Sequence, residues 1–290
     1  MTGAEDPFVT HRSLLFTVAY ELLSSAADAE DVLQESWLRW AEVDHDRVQD
    51  PRSYLIRIVT RQGLNRLRTL SRRREQYVGE WLPEPLLTSP DVAEDVELAE
   101  SVSFAVLTVL ETLGPAERAV FVLREVFELP YEEIAEALGK TPAAVRQIAR
   151  RARGHVAARR PRVRVSRSEQ QQVVERFLET LRTGRLQDLM AVLAPDVVLI
   201  ADGGGIAAAV TAPVHGAEAV AALLARAGRL PVAFDAATVW LNGAPAGRID
   251  IGGEPSVVSL AVEDGRITRV YIVRNPQKLT RIDAPAALTR

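Results

Sequence analysis

Apolar side chains recur every three or four positions through most of residues 8–78, which is the spacing of one face of an α-helix. One helical face is predicted from Leu15, Val18, Ala19 and Leu22, and a second from Ala29, Leu33, Trp37 and Trp40. A third helix is predicted to start at Pro51, because Asp50 is a favourable N-cap and proline suits the first helical position. We therefore expect a bundle of helices in this part of the chain.

The third of these helices carries a polar stripe beside its apolar face. The stripe consists of Arg57, Arg61, Asn65 and Arg68, at spacings of four and three residues. Together with Trp40 and the loop over 43–50, this row has the composition of a surface for a separated nucleic-acid strand. A solvated helix face explains the same residues equally well.

Residues 130–153 have the spacing and the caps of a helix-turn-helix. Pro130 opens the first helix, Gly139 supplies a left-handed residue that ends it, and Thr141 caps the second helix. Arginine and glutamine can each bind base edges in the major groove, so the second helix is expected to bind duplex DNA. The candidate DNA-binding residues are Thr141, Arg146, Gln147, Arg150, Arg151 and Arg153.

Beyond residue 167 the pattern changes from helices alone to helices followed by strands. Helices are predicted near 168–194 and over 216–228, with an apolar run at 196–201 between them. Four strand-like runs follow at 234–241, 246–251, 256–265 and 266–273. The Asp264-Gly265 dipeptide between the last two suits a tight hairpin turn. This order predicts an α+β domain with a curved antiparallel sheet.

Charge is unevenly distributed along a chain whose formal net charge is −4. Residues 51–78 carry eight basic side chains and one acidic one, and residues 141–167 carry nine arginines and no acid. Between them, residues 79–100 hold seven acidic side chains, no basic one and three prolines, which is typical of a linker. Two basic segments on separate modules favour two contacts with a polyanion, and the arginines beyond Arg153 suit phosphate groups.

Composition excludes several other classes of protein. The chain contains no cysteine, so it has no disulfide, thiolate metal site or cysteine nucleophile, and its four histidines are scattered. We therefore expect no metal and no cofactor. No apolar run reaches the roughly 18–20 residues that span a membrane, and we expect a cytoplasmic protein without membrane contact.

Residues 8–160 resemble a bacterial sigma factor of the extracytoplasmic-function (ECF) class. The resemblance is carried by "ADAEDVLQESWLRW", "DPRSYLIRIVTRQGLNRLR" and "LPYEEIAEALGKTPAAVRQIARRAR", which occur in the order of that family. It implies two all-α sigma domains: region 2, a helical bundle over 1–78, and region 4, a helix-turn-helix over 101–162. Residues 79–100 are then the linker, and residues 163–290 form a further domain.

The resemblance also implies partners for these surfaces. Core RNA polymerase is expected to bind region 2 through the clamp helices of its β′ subunit, at Asp31, Gln34, Glu35 and Arg39, and region 4 through the β flap. The stripe on the third helix would contact the −10 element of promoter DNA, and the second helix of the helix-turn-helix would read the −35 element.

Three short motifs resemble those of an ECF subgroup with a C-terminal SnoaL-like domain of the cystatin-like fold. They are "WLPEP" in the linker, "DGGG" after the first strand of the last domain, and "NPQKL" near its end. Ile206 stands after the glycines where the subgroup usually has lysine. We predict that the linker docks on the last domain and that this contact regulates the sigma factor without a separate anti-sigma protein. The residues of this regulatory contact are Trp81, Leu82, Pro83, Glu84, Pro85, Asp202, Gly203, Gly204, Gly205, Asn275, Pro276, Lys278 and Leu279.

Two other functions remain open from the sequence. One is a ligand-sensing helix-turn-helix regulator that is not a sigma factor, with a small molecule bound in the C-terminal domain. The other is an enzyme fused to a DNA-binding module, in which Asp202 and His215 form an acid–base pair. The expected function is an alternative sigma factor that is not an enzyme and is regulated by its own last domain.

Overall fold

A computed structural model describes residues 6–74, 76–159, 165–228 and 232–290 of the chain. The first unit contains helices α1 (Pro7–Thr10), α2 (Arg12–Leu23), α3 (Ala26–Ala41) and α4 (Pro51–Arg74). Helix α2 is buried along almost its whole length, and α3 and α4 pack against it and against each other. Ser25 caps α3 by accepting a hydrogen bond from the Asp28 backbone N–H.

The second helical unit contains five helices. These are α5 (Val96–Ser101), α6 (Phe104–Leu110), α7 (Pro115–Phe121), α8 (Tyr131–Leu138) and α9 (Pro142–Arg159), and a π-helical turn over Val122–Val126 extends α7. Helix α5 begins inside the segment that the prolines and acids predicted to be a linker. The two helical units share one continuous apolar core, which also includes Leu288 near the end of the chain.

The last unit begins with two helices and continues into a six-stranded sheet. Its elements are α10 (Arg167–Thr183), α11 (Leu186–Val192), β1 (Leu193–Asp202), β2 (Val214–His215), α12 (Ala217–Gly228), β3 (Phe234–Leu241), β4 (Ala244–Ile251), β5 (Glu254–Glu263) and β6 (Arg266–Val273). The strand order is β2-β1-β6-β5-β4-β3. The predicted α+β fold is confirmed, and Asp264 and Gly265 both adopt positive φ angles at the β5–β6 turn.

The sheet differs from the expected antiparallel one at a single pairing. Strands β3 to β6 form a meander of three hairpins, and β6 then lies beside β1 and runs parallel to it. The chain reaches the far edge of the sheet through α12 before it returns, so β1 and β6 meet without a hairpin between them. The sheet is therefore mixed.

Each face of the sheet is covered by a different part of the chain. Val197, Leu199 and Ala201 of β1 pack with α10, α11 and α12 on one face. The other face is covered by Leu82 of the linker and Phe104 of α6, which pack with side chains of β4, β5 and β6. Because side chains alternate along a strand, Asp202 lies on the linker side of β1.

A buried polar group joins the two helical units. The Arg118 side chain on α7 is 1% exposed and donates two hydrogen bonds to the Glu21 carbonyl at 2.9 and 2.8 Å, at the C-terminal end of α2. It also donates to Ser24 Oγ at 2.6 Å and to the Glu111 carboxylate at 2.7 Å. Burial lowers the pKa of Arg118 to about 9, so this cation stays charged at neutral pH and needs these acceptors.

Candidate nucleic-acid interface and the linker contact

Helices α8 and α9 form the predicted helix-turn-helix. Gly139 ends α8 with a φ of 63°, and the Thr141 hydroxyl accepts a hydrogen bond from the Ala144 N–H at 3.2 Å. One face of α9 is buried through Val145, Ile148, Ala149, Ala152 and Val156. The opposite face is therefore free to enter a major groove.

All six candidate residues of the second helix are exposed, as a base-reading surface requires. They are Thr141, Arg146, Gln147, Arg150, Arg151 and Arg153. Three of these arginines have acidic neighbours: Arg146 lies 3.7 Å from Glu132, Arg151 lies 3.4 Å from Glu117, and Arg153 lies 2.9 Å from Glu125. Arg160, Arg162 and Arg164, which suit phosphate contacts, lie outside the described residues.

The polar stripe of α4 lies partly against the helix-turn-helix. Arg57 pairs with Glu136 of α8, and Arg61 donates to the Glu136 carbonyl at 3.0 Å and to the Ala137 carbonyl at 3.2 Å. Asn65 and Arg68, further along the stripe, are exposed. The stripe therefore contacts the first helix of the helix-turn-helix, and two of its four residues are bonded to the chain itself.

Trp40 does not offer a face to a nucleic-acid base. Its side chain is 1% exposed, its ring stacks on His45 with centroids 4.2 Å apart, and its indole N–H donates to Asp6 at 3.0 Å. Trp37, which we expected to face inward, is instead 47% exposed. The buried face of α3 runs through Leu33, Ser36 and Trp40, which leaves Trp37 outside it.

The candidate polymerase surface lies on α3. Asp31, Gln34, Glu35 and Arg39 are all exposed, beside the exposed apolar side chains of Trp37 and Leu38. Arg66 of α4 holds one end of this surface, with its guanidinium 2.9 Å from Asp31 and 2.6 Å from Asp28. This candidate surface therefore combines exposed carboxylates and apolar groups on one helix.

At the end of β1, Asp202 lies at the centre of a buried group that we call the Asp202 cluster: Asp202, Tyr77, Trp81, Leu82, Asn275 and Lys278. The Asp202 carboxylate accepts hydrogen bonds from the Tyr77 hydroxyl at 2.5 Å and the Leu82 N–H at 2.9 Å, and it lies 2.6 Å from Lys278 Nζ. Asp202 is 0% exposed and Lys278 is 6% exposed. Both charges are thus removed from water and depend on each other.

Lys278 lies against two aromatic rings, Tyr77 just before the linker and Trp81 within it. Its ammonium donates to the Leu82 carbonyl at 2.5 Å and lies 3.1 Å from the centroid of the Trp81 ring. Such a cation above an indole face is attracted by the ring, and more strongly away from water. The Tyr77 hydroxyl also accepts a hydrogen bond from Asn275 at 2.8 Å. Burial and the Asp202 carboxylate raise the pKa of Tyr77, so this hydroxyl remains a donor.

The glycines after Asp202 allow the chain to pass close to the cluster. A side chain at Gly204 would meet Asn275 at 2.2 Å, and one at Gly205 would meet Val78 at 3.1 Å. Gly203 is buried against its own loop, and Ile206 is 56% exposed. Leu279 is buried beneath the linker, while Pro276 is exposed.

The rest of the "WLPEP" motif reaches the first helical unit. The Glu84 carboxylate accepts hydrogen bonds from the Ala26 N–H at 2.8 Å and the Ala27 N–H at 3.3 Å, at the start of α3. Burial raises the pKa of Glu84, which these backbone donors partly oppose. Pro83 and Pro85 are buried on either side. The linker thus contacts the sheet domain through Leu82 and the N-terminus of α3 through Glu84.

Two contacts of the linker region were not anticipated from the sequence. Asn242, in the β3–β4 turn, accepts a hydrogen bond from the Leu86 N–H at 3.0 Å and donates to the Tyr20 hydroxyl at 2.7 Å. The last residues return to the helical core, where Leu288 is buried and Arg290 pairs with Asp95 at 2.8 Å. Neither contact has a local sequence signal, because the partners are far apart in the chain.

The proposed acid–base pair is not assembled for catalysis. Asp202 is engaged in the Asp202 cluster, whereas His215 is exposed on the edge strand β2.

Among the described residues, no group of three or more acidic, histidine or cysteine side chains is arranged to hold a metal ion. Within the same residues, no helix is both long and apolar enough to cross a membrane.

Comparison with known proteins supports the reading of the two helical units. The family model "Sigma-70 region 2" matches residues 8–73, and the model "Sigma-70, region 4" matches residues 103–156. These matches coincide with the α3–α4 surfaces and with the helix-turn-helix. They define the class of protein as a sigma factor that contains sigma-70 regions 2 and 4.

Whole-chain relatives define the family more closely. The chain is 37% identical to the ECF RNA polymerase sigma factor SigJ of Mycobacterium tuberculosis, over 94% of this chain and 92% of that protein. It is 32% identical to the probable ECF sigma factor SigI of the same species, over 94% of each chain. The superposition with the crystal structure of M. tuberculosis SigJ covers 95% of this chain and 98% of that chain, with a TM-score of 0.74. The chain belongs to the ECF family of RNA polymerase sigma factors.

Proposed function

We propose that this chain is an alternative sigma factor that directs core RNA polymerase to specific promoters, and that its C-terminal domain holds it in a closed, inactive arrangement. The observation that carries the proposal is the contact between the two DNA-binding modules. Arg57 and Arg61 of the polar stripe are bound to α8, so a DNA strand competes with α8 for these two side chains. A sigma factor in this arrangement cannot present both modules to a promoter.

Each module has a distinct role in the open form. The exposed face of α9 reads the −35 element, with Arg146, Gln147 and Arg150 at base edges. Arg57, Arg61, Asn65 and Arg68 hold the separated strand of the −10 element. Asp31, Gln34, Glu35 and Arg39 bind the β′ clamp helices, and the helix-turn-helix domain binds the β flap.

The closed arrangement is stabilised by the chain alone. The linker is fixed to the sheet domain by the Asp202 cluster and to α3 by Glu84, while Arg118 ties α7 to α2. Because these contacts lie within the chain itself, the proposed regulation requires no separate anti-sigma factor. In this scheme the units are 1–78, 79–100, 101–162 and 163–290, with helix α5 beginning within the linker.

The last domain serves regulation and not catalysis. The Asp202 carboxylate is already paired with Lys278 and cannot act as a general base while the linker is bound. No cofactor enters this scheme, and the protein acts in the cytoplasm, where its polymerase and DNA partners are.

The function is tested by transcription with purified core polymerase on a library of promoters. The full chain is expected to direct initiation from a distinct subset, and Arg68→Ala, on the exposed part of the stripe that does not contact α8, is expected to reduce it. Arg176→Ala, an exposed arginine on α10, is the matched control and is expected to leave initiation unchanged. Core polymerase that initiates equally with and without the protein would overturn the proposal.

A further inference from the structure

The sheet domain contains a partly open cavity that the Asp202 cluster does not use. It has a volume of about 140 Å³ and lies between the sheet and helices α10 and α12. Its walls are almost wholly apolar and include Phe177, Leu199, Leu224, Phe234, Ile249 and Val258. An apolar cavity of this kind stays free of water unless polar groups are present to hold it.

Two polar side chains line the cavity among the described residues, and both are already bonded. The Ser256 hydroxyl donates to the Ile249 carbonyl at 3.1 Å. The Arg274 guanidinium donates to the Ala208 carbonyl at 2.5 Å and to the Glu254 carboxylate at 2.6 Å. With its charge compensated by Glu254, Arg274 offers no cation to an anionic ligand. The lining therefore favours a neutral molecule.

The size of the cavity limits the ligand to about one aromatic ring. An engineered apolar cavity of about 150 Å³ in another protein is known to bind benzene. A larger molecule would have to displace the loop that carries Ala208, Ala209 and Val210, which forms part of the wall.

That loop also reaches Val78, the residue directly before the linker. Its first residues, Gly204 and Gly205, lie against Asn275 and Val78, while Ala208 to Val210 face the cavity. Arg274 also connects the cavity to the Asp202 cluster, because its side chain lines the cavity and its backbone N–H donates to the Asp202 carbonyl at 2.8 Å. The wall of the cavity is thus shaped by the contact that holds the linker.

We propose that this cavity is a binding site for a small neutral apolar molecule, the size of a singly substituted benzene, whose binding favours the closed arrangement. The ligand fits the cavity in the shape that the linker contact gives to its wall. The ligand therefore binds the closed form more tightly than the open form and shifts the equilibrium toward the closed form. The binding site is inferred from the cavity alone, whereas its effect on regulation rests on the proposed function.

Binding is tested on the full-length protein without polymerase, by calorimetry with toluene, benzoate and benzylamine. Toluene is expected to bind saturably at one site and to raise the melting temperature, and the two charged analogues are expected to bind at least tenfold more weakly. Ala209→Phe and Ala201→Leu each fill the cavity and are expected to abolish toluene binding, whereas Ala222→Phe, exposed on α12, is the control. Circular dichroism identifies any variant that fails to fold. Because the two cavity variants change different residues, one can still test the site if the other does not fold.

Absence of saturable toluene binding, equal binding of benzoate, or binding retained by both folded cavity variants would overturn the site. The regulatory part is tested by adding toluene to the transcription reaction, where at least a threefold decrease is expected with the parent chain and none with Ala209→Phe. Toluene binding without an effect on active transcription would overturn the coupling and leave the site intact. A chain that never initiates would contradict the proposed function instead.

Discussion

The Lys278 ammonium lies 2.6 Å from the Asp202 carboxylate, and both side chains are buried at the junction between the linker and the sheet domain. Asp202 ends β1, and Lys278 lies in the short 3₁₀ turn after β6. Neither residue belongs to the DNA-binding modules, yet both hold the backbone of Leu82. This pair therefore connects the fold of the last domain to the position of the linker.

Replacing Lys278 by methionine should open the closed arrangement. The change leaves the Asp202 charge buried without its cation, which typically costs about 3–5 kcal/mol. We expect a lower free energy of unfolding, measured by denaturant titration, and higher promoter-specific transcription. Asp235→Asn, an exposed change in the same domain, should alter neither. Lower stability together with unchanged transcription would show that the Asp202–Lys278 pair stabilises the fold but does not regulate transcription.

The second helix of the helix-turn-helix should divide into base-reading and phosphate-binding residues. Arg150→Ala is expected to cost about 1–3 kcal/mol on the preferred −35 sequence and less on others. Arg159→Ala, near the end of α9, should weaken binding evenly across sequences and reduce its salt dependence. The measurement is binding of the polymerase holoenzyme to a set of −35 variants. The same change in sequence preference for both variants would refute this division.

Charge reversal on α3 should prevent binding to polymerase. Asp31→Lys with Glu35→Lys removes the exposed carboxylates of the proposed docking surface and is expected to reduce capture of core enzyme at least tenfold. Glu175→Lys with Glu179→Lys is the matched control, because it has the same spacing on the exposed face of α10. Core enzyme captured equally by both double variants would place the docking surface elsewhere.

The buried contact between the helical units should depend on pH through Glu21. Burial raises the pKa of Glu21 to about 8, whereas the ordinary value in an unfolded chain is about 4.3. A raised carboxyl pKa stabilises the fold at low pH, and this contribution is lost as the pH rises between these two values. Relative to Glu21→Gln, the parent chain should lose about 1.4 kcal/mol of unfolding free energy per pH unit in that window.

This difference is measured by denaturant titration at several pH values from 5 to 8. Glu175→Gln, an exposed change on α10, should follow the parent chain at every pH. A constant difference between the parent and Glu21→Gln would show that Glu21 does not exchange a proton on unfolding.

The helix-turn-helix and the hairpin could be predicted from the sequence, because each is determined by residues that are close together in the chain. The helix-turn-helix was predictable from Gly139, Thr141 and the apolar spacing of α9, and the β5–β6 hairpin from Asp264-Gly265. The prediction that Trp37 faces inward was wrong, because an apolar residue at helical spacing need not face the core.

The contacts between units were harder to predict. The motifs indicated that Asp202 and Lys278 lie near the linker, but Tyr77 gave no signal that it would bond to a carboxylate 125 residues later. The burial of Arg118 against Glu21 was also missed, since a charged residue is ordinarily assigned to the surface. Such pairs depend on how the units pack, and a single sequence does not contain that geometry.

In the proposed mechanism, the linker must leave the sheet domain before transcription. The chain contains no cysteine, so a disulfide can be introduced without competing thiols. Val78 and Gly205 are suitable, because a Cβ at Gly205 would lie 3.1 Å from Val78 Cβ, just below the usual range of about 3.5–4.5 Å. Gly205 has a φ of 70°, so cysteine there is strained by about 1–2 kcal/mol, and the single variants serve as controls.

The decisive measurement is promoter-specific transcription by Val78→Cys/Gly205→Cys with core polymerase, before and after reduction of the disulfide. The reduced protein is expected to direct transcription as the single variants do, and the oxidised protein is expected to direct none. Equal transcription by the oxidised and reduced forms would contradict the account, because the linker would then remain bound while the promoter is read.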